Sequence, residues 1–424
     1  MNNSERIKVP TNSIGLIKGK KGANLNDIQR RSNAKCKIKE NYIIVTGSND
    51  ARRIAINLIK DCVYNSIIVY GHPIEAIIAL RPPLVGLKNV LFVKYKGNVD
   101  MNNVNKAFFV LDEEEKKRHE QLDNLTLRMI NLNIEKISRI IAPEKDETLI
   151  DHITERLIEL VLNNKTHVFR LKANIGKQLF YPATKDKLLL PSSVQLARLL
   201  KYEIGYQRDV KVVFMNYISF DIAKEIESRL GKLGYKEDNE KIVQRASIHL
   251  IDVNAEKRFT ISTDITSEGK LRLRKYSVDN MKHLFLSFTR SKSDLDFRFR
   301  ILSREPPITN VPLKLKNLIN KATYDFNTMT FNLTDTTDYL FTVIRVKVKR
   351  RFFKSKGELS NNGLKVIISE IQEMGKKDVQ VSVTSDALQE NLEKIKKDSC
   401  NKEVGKFVNE MYRIVDGLHY NVTG

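Results

Sequence analysis

Apolar and polar positions alternate in RIKVP (6–10), AKCKIK (34–39) and YIIVT (42–46), which predicts three short strands, the first stopped by Pro10. Between them the period changes. SIGLI (13–17) suits one helical turn, and Leu25 and Ile28, three apart, predict a helix from Ala23 to about Arg31 with Asn33 at a left-handed cap. NDARRIAINLIKDCV (49–63) sets Ile54, Leu58 and Cys62 on one helical face, widened by Ile56 and Ile59. The order is strand, helix, helix, strand, strand, helix.

Short apolar runs follow in SIIVY (66–70), AIIAL (76–80) and VLFVKY (90–95), split by Gly71, Pro73, Pro82 and Pro83, and read as strands. From Asp112 a charged stretch with acids first and bases after predicts a helix, Leu122, Leu125 and Met129 on one side. A second helix over 146–163 carries Ile150, Ile153, Leu157 and Val161. From Thr166 the period is two through HVFRLK, GKQLFYP, KVVFMNYI, ASIHLIDV, KRFTIS, KLRLRKY, HLFLSF, DLDFRFRIL and YLFTVIRVKVKRRFF, with helices expected near 192–204 and 219–233. Helices are expected again around 360–374, 386–398 and 403–415, with VQVSV (379–383) as a strand.

The fold class is therefore α+β. The expected division is a βααββα unit over 1–64, a connecting α/β segment with two amphipathic helices over 65–165, a mostly antiparallel-sheet α+β domain over 166–355, and a mainly helical region over 356–424.

Three of the strands alternate apolar with basic. Arg272 and Arg274 oppose Leu271 and Leu273; Arg298 and Arg300 oppose Phe297, Phe299 and Ile301; Arg345, Lys347 and Lys349 oppose Val346 and Val348. These cations are a candidate basic surface for a polyanionic partner, against the plainer reading of an exposed face on which Lys and Arg blunt edge pairing. Pattern alone does not say whether the strands are neighbours.

Charge changes the picture. The 424 residues carry 73 Lys+Arg against 51 Asp+Glu, a net +22, which points to a polyanionic partner. Cys36, Cys62 and Cys400 lie far apart without a C-x-x-C pair, so neither a disulfide framework nor a zinc site is supported. No apolar run reaches the length of a spanning helix, and MNNSERIKVP lacks the apolar core of a secretory signal. A cytoplasmic protein is expected, the nucleus being the second compartment, with no membrane partner.

The charge gains a location in Ile14-Gly15-Leu16-Ile17-Lys18-Gly19-Lys20-Lys21-Gly22, followed by Leu25 and Ile28. Together with the element order, this stretch resembles a type I KH (K homology) domain over about residues 5–63. Two positions depart from the family pattern. Lys18 stands where an aliphatic residue is usual, and Asn33 where glycine commonly ends the second helix. Glycines 19 and 22 let a sugar-phosphate backbone approach the amides, and the helix from Ala23 aims the positive end of its dipole at it. The resemblance implies that the GKKG loop clamps about four nucleotides of single-stranded RNA, or of single-stranded DNA. It also implies that Gly15, Lys18 and Leu25 border the base groove and that Lys35 and Lys37 reach the strand from its far side.

Catalytic signatures are sparse. The seven histidines show no metal-ligand spacing, and neither a phosphate-binding GKT/GKS loop nor a G-x-S-x-G elbow occurs. Asp294-Leu295-Asp296-Phe297-Arg298-Phe299-Arg300 aligns acids and bases along one strand and is loosely similar to strands of the triphosphate-tunnel phosphohydrolases, but a second carboxylate pair is missing. The expectation is a non-enzymatic RNA-binding protein without cofactor, metal or catalytic residues, its 65–424 region open to further RNA or protein partners. A KH-targeted phosphohydrolase and a KH-based protein scaffold are the alternatives.

Overall fold

A computed structural model describes residues 4–66, 75–85, 87–95, 107–113, 139–143, 145–163, 167–182, 190, 193–200, 210–238, 244–278, 281–305, 308, 310–328, 330–354, 364–373, 376–394 and 397–419. The N-terminal unit runs β1 (Ser4–Lys8), α1 (Ile14–Lys18), α2 (Ala23–Ser32), β2 (Lys35–Lys39), β3 (Tyr42–Thr46) and α3 (Asn49–Ser66). Its antiparallel sheet has the order β1-β3-β2, with Arg6 opposite Ile44 and Lys37 opposite Ile44 from the other side. The expected element order holds. Alternation puts Ile43 and Val45 of β3 into the core with Ile17, Ile28, Ala55, Ile59 and Val63 from the helices. Asn33 does cap α2 in the left-handed region, at φ 56°.

The rest of the chain builds one sheet. Its strands are β4 (Glu75–Leu80), β5 (Asn89–Lys94), β6 (Phe109–Glu113), β7 (Arg139–Ile141), β8 (Val168–Pro182), β9 (Ser193–Gln195), β10 (Val210–Met215), β11 (Tyr217–Ile218), β12 (Tyr235–Glu237), β13 (Gln244–Asp252), β14 (Lys257–Ile265), β15 (Leu271–Val278), β16 (Met281–Thr289) and β17 (Asp296–Arg304). A small hairpin, β18 (Thr323–Asp325) and β19 (Thr330–Asn332), stands apart, and β20 (Tyr339–Lys354), β21 (Leu364–Glu373) and β22 (Lys376–Ser385) complete the large sheet. Its central ladder reads β16-β17-β8-β22-β21-β20-β13-β14-β15, all antiparallel. Parallel pairing enters where β4 joins β16 and β7 joins β4. The 15-residue β8 unites the expected HVFRLK and GKQLFYP strands and serves two neighbourhoods, its second half pairing with β10 and β6.

Helices α4 (Asp146–Asn163), α5 (Leu196–Leu199), α6 (Phe220–Lys232), α7 (Leu313–Lys321), α8 (Asp386–Glu393) and α9 (Lys397–Val415) complete the order. Four of them, α4, α6, α8 and α9, cover one face of the ladder: Leu157, Ile226, Leu392, Phe407 and Met411 share a core with Leu171, Phe297, Phe299, Val366 and Val381. Phe299 meets Phe407 edge-on at 5.1 Å.

Several expectations are corrected. The helix expected over 360–374 is β21. Its Ile367, Ile368 and Ile371 mimic a helical stripe, but Leu364, Val366 and Ile368 alternate into the core and its β-branched residues suit the place between β20 and β22. The helix near 192–204 shrinks to β9 and the single turn α5, with 201–204 outside the described residues. Asp112 and Glu113 end β6 instead of opening a helix, and the remainder of that charged stretch lies outside the described residues, as does SIIVY after Ser66. The segments 65–165 and 356–424 thus contribute β4–β7 and β21–β22 to the sheet they were expected to flank.

The N-terminal unit docks on one end of this body. Ile251, Val253 and Leu340 are buried in its core cluster, and Lys60 Nζ donates to the carbonyl of Phe341 at 3.1 Å while pairing with Asp335. Lys8 Nζ donates to Asn254 Oδ1 at 2.9 Å and the amide of Thr11 to Glu256 Oε1 at 3.1 Å.

Candidate nucleic-acid interface

The GKKG loop is built by backbone conformations that its residues suit unequally. Gly19 sits at φ 69° and Gly22 at φ 82°, and Lys21 between them is also left-handed at φ 52°. A Cβ on Gly19 would lie 2.8 Å from Asn24, so glycine there is a packing requirement; a Cβ on Gly22 would meet open space, leaving that side of the loop accessible. Asn24 Nδ2 donates to the carbonyl of Leu16 at 2.7 Å and ties α2 back to α1 across the loop. Lys18, Lys20 and Lys21 are all exposed.

The flanking residues fall as the strand and helix periods require. Gly15 is exposed, and a Cβ there would meet nothing within 4 Å, whereas Leu25 is half-buried against the core. Lys35 and Lys37 point outward from β2 while Cys36 and Ile38 turn inward. Leu16, 45% exposed on α1 beside the loop, presents an apolar surface that the sequence pattern does not single out; an aliphatic residue one turn before a loop reads as core, and only packing shows it outside.

The family model for the KH domain matches residues 4–61. The N-terminal segment is a type I KH domain. A KH domain binds nucleic acid in general, and this one presents a basic loop at the start of α2. No curated protein sequence matches the chain. Among solved structures, the S. pombe Pct1 RNA triphosphatase in complex with the Spt5 CTD aligns at a TM-score of 0.42 and 9% identity, over 63% of this chain and 93% of that one. The PH1819 protein of Pyrococcus horikoshii aligns at 0.24 and 12% identity, over 48% and 89%, and a putative adenylate cyclase of Bacillus halodurans at 0.23 and 4%, over 49% and 92%. None of these likenesses is close enough to carry an argument about the body.

Beyond the KH domain, the basic strands are only partly brought together. Register places Arg300 opposite Lys172 and Arg298 opposite Asn174 on β8, and Lys347 and Lys349 opposite Ile371 and Ser369 on β21. All face away from the helix-covered core. A flat sheet would separate β8 from β20 by three strand spacings, about 14 Å. Lysine side chains are long enough to span much of that gap, and Lys347 and Lys349 lie near enough to Lys172 to disfavour its charge. Arg272 and Arg274 are not drawn in. They are exposed on β15, where Arg274 pairs with Asp264 at 3.4 Å across an irregularity in the ladder.

Pattern reading also missed Lys172 and Arg170 as site residues, although Phe169-Arg170-Leu171-Lys172 carries the same alternation as the three strands singled out. Burial and then Arg300, Lys347, Lys349 and Arg170 push the Lys172 ammonium well below its ordinary value. Burial, then Arg245, Arg351 and Arg170, lowers Lys349. Burial brings Arg300 down to about 10.

The acids beside these bases are differently employed. Asp296 is fully buried, 3.3 Å from the equally buried Lys177 Nζ, and accepts the amides of Gln178 at 2.8 Å and Arg290 at 3.0 Å. Lys177 also donates to the carbonyls of Ser291 and Asp294, so the pair locks the β16–β17 turn. Asp294 lies in that turn near Arg290, with Ser291 Oγ donating to it at 3.1 Å. Acid-then-base alternation therefore does not make one acid-and-base surface: both carboxylates are spent on the turn. Among the described residues, no three His, Cys, Asp or Glu side chains gather as a metal site, and no helix is long and apolar enough to cross a membrane.

Proposed function

We propose that this protein binds single-stranded RNA by clamping its backbone in the GKKG loop of the KH domain, and acts by binding. The observation that carries the reading is the loop geometry. Gly19 and Gly22 hold left-handed turns, the Gly22 side is open, and Lys20 and Lys21 project beside the first amides of α2. Gly15, Lys18 and Leu25 would line the groove for bases, with Lys35 and Lys37 on its far side. Lys18, in place of an aliphatic residue, makes the groove entrance polar and is expected to set the base preference.

Replacing Lys20 and Lys21 together by Asp tests the clamp. Affinity for pooled single-stranded RNA, followed by fluorescence anisotropy, is expected to fall by at least about tenfold, since two attractive phosphate contacts become repulsive. Unchanged affinity in a folded variant would remove the loop as a principal contact.

A further inference from the structure

The face shared by Arg298, Arg300 and Lys172 holds more positive charge than the described residues around it neutralise. Lys172, Arg300 and Lys349 have no carboxylate partner among the described residues, and the groups acting most strongly on Lys172 and Lys349 are other cations. Mutual repulsion in a half-buried cluster lowers stability, so its persistence calls for an anion that relieves it.

The cluster is also shaped in advance. Arg298 is clamped between two rings, its Cζ 4.6 Å from the Phe214 centroid and 4.3 Å from that of Phe285. Among the described residues, one weak hydrogen bond, to Asn216 Oδ1 at 3.4 Å, uses its guanidinium. The Nε atoms of Arg298 and Arg300 are buried without a hydrogen-bond partner among the described residues. Clamped guanidinium edges beside lysines are a receptor for tetrahedral oxyanions, because the fork donates in pairs and the ammonium adds charge without fixed direction. A running backbone spreads one charge per nucleotide over an exposed surface, whereas these cations come from β8, β17 and β20 and are all half-buried.

We propose that this face is a second anion site, separate from the KH loop, which takes a compact oligophosphate and holds it without cleaving it. The oligophosphate is either the 5′-triphosphate end of an RNA chain or a free one. Retention without cleavage follows from the carboxylates of the neighbouring turn, Asp294 and Asp296, being engaged with Arg290 and Lys177.

The full-length protein is titrated with inorganic tripolyphosphate and with one short RNA carrying either a 5′-triphosphate or a 5′-hydroxyl. Tripolyphosphate is expected to raise the melting temperature at concentrations where sulfate at equal ionic strength gives a much smaller rise, since one sulfate engages fewer of the cations and adds only its general salting-out effect. The Lys172→Gln/Lys349→Gln variant is expected to lose that response while melting no lower than the parent without ligand, since it removes repulsion. Preference for the triphosphorylated RNA by about tenfold, as a few charge-assisted contacts supply, assigns the site to chain ends; equal binding of the two RNAs with tripolyphosphate still bound assigns it to free oligophosphate. The response must survive in the Lys20→Asp/Lys21→Asp variant, and its loss there would place the phosphates in the KH loop and overturn the proposal. So would absence of any tripolyphosphate response, or release of phosphate with Mg²⁺ or Mn²⁺.

Discussion

At the scale of single residues, burial decides what a side chain does more firmly than its neighbours in sequence. His283, one of seven scattered histidines, is 4% exposed on β16, its Nε2 2.7 Å from Ser303 Oγ and its ring 5.6 Å from that of Phe169. Burial, then Arg156 of α4 and His167, lowers its pKa from 6.5 to about 4. A folded pKa below the unfolded one means that the unfolded chain binds the proton more readily. The stabilisation is thus complete above the unfolded value and is lost as pH falls towards the folded one. Urea unfolding is expected to show about 2 kcal/mol lost by pH 5, and His283→Gln to flatten that part of the profile. The same holds for Asp296: its spacing to Arg298 suggests a surface of mixed charge, and only its zero exposure beside Lys177 shows a locked turn.

At the scale of elements, β17 has two faces with opposite energetics. Phe297, Phe299 and Ile301 pack under α9, whereas Arg298 and Arg300 crowd other cations. Phe299→Ala is expected to cost about 3–5 kcal/mol of unfolding free energy by the usual cavity and transfer terms. Arg300→Gln is expected to leave stability unchanged or raised, because it removes an unrelieved charge. Equal losses in denaturant titration would mean that the basic face is structural. The alternation that separates the two faces was legible in DLDFRFRIL, since period two is a property of the strand itself. The identity of β21 was not legible, because three isoleucines at spacings of one and three fit a helix as well as a strand until β20 and β22 flank it.

At the scale of the molecule, β13 and β20 join the KH domain to the basic face. Near one end they supply Ile251, Val253 and Leu340 to the KH core, and farther along β20 carries Lys347 and Lys349 into the basic face. Joined on one platform, the two proposed contacts would raise each other's effective concentration for a chain that reaches both. Leu340→Asp places an unpaired carboxylate in the buried seam, at a cost of several kcal/mol unless the seam opens. Hydrogen exchange is expected to speed up around 251–256 and 335–341 while β17 and β22 stay protected; a uniform change would mean that KH domain and body unfold as one unit.

What the sequence by itself determined is the KH domain and the two-faced character of the basic strands. Both rest on contacts or periods within a few residues: the loop glycines, the helix that starts at Ala23, and the in-out alternation of each strand. Tertiary structure alone decided that Arg298, Arg300, Lys347 and Lys349 gather around the overlooked Lys172 while Arg272 and Arg274 stay outside, and that Asp294 and Asp296 serve a turn. The physical reason is sheet order: β17, β8 and β20 meet through pairings far apart in the chain, and no local pattern encodes which strand will lie beside which.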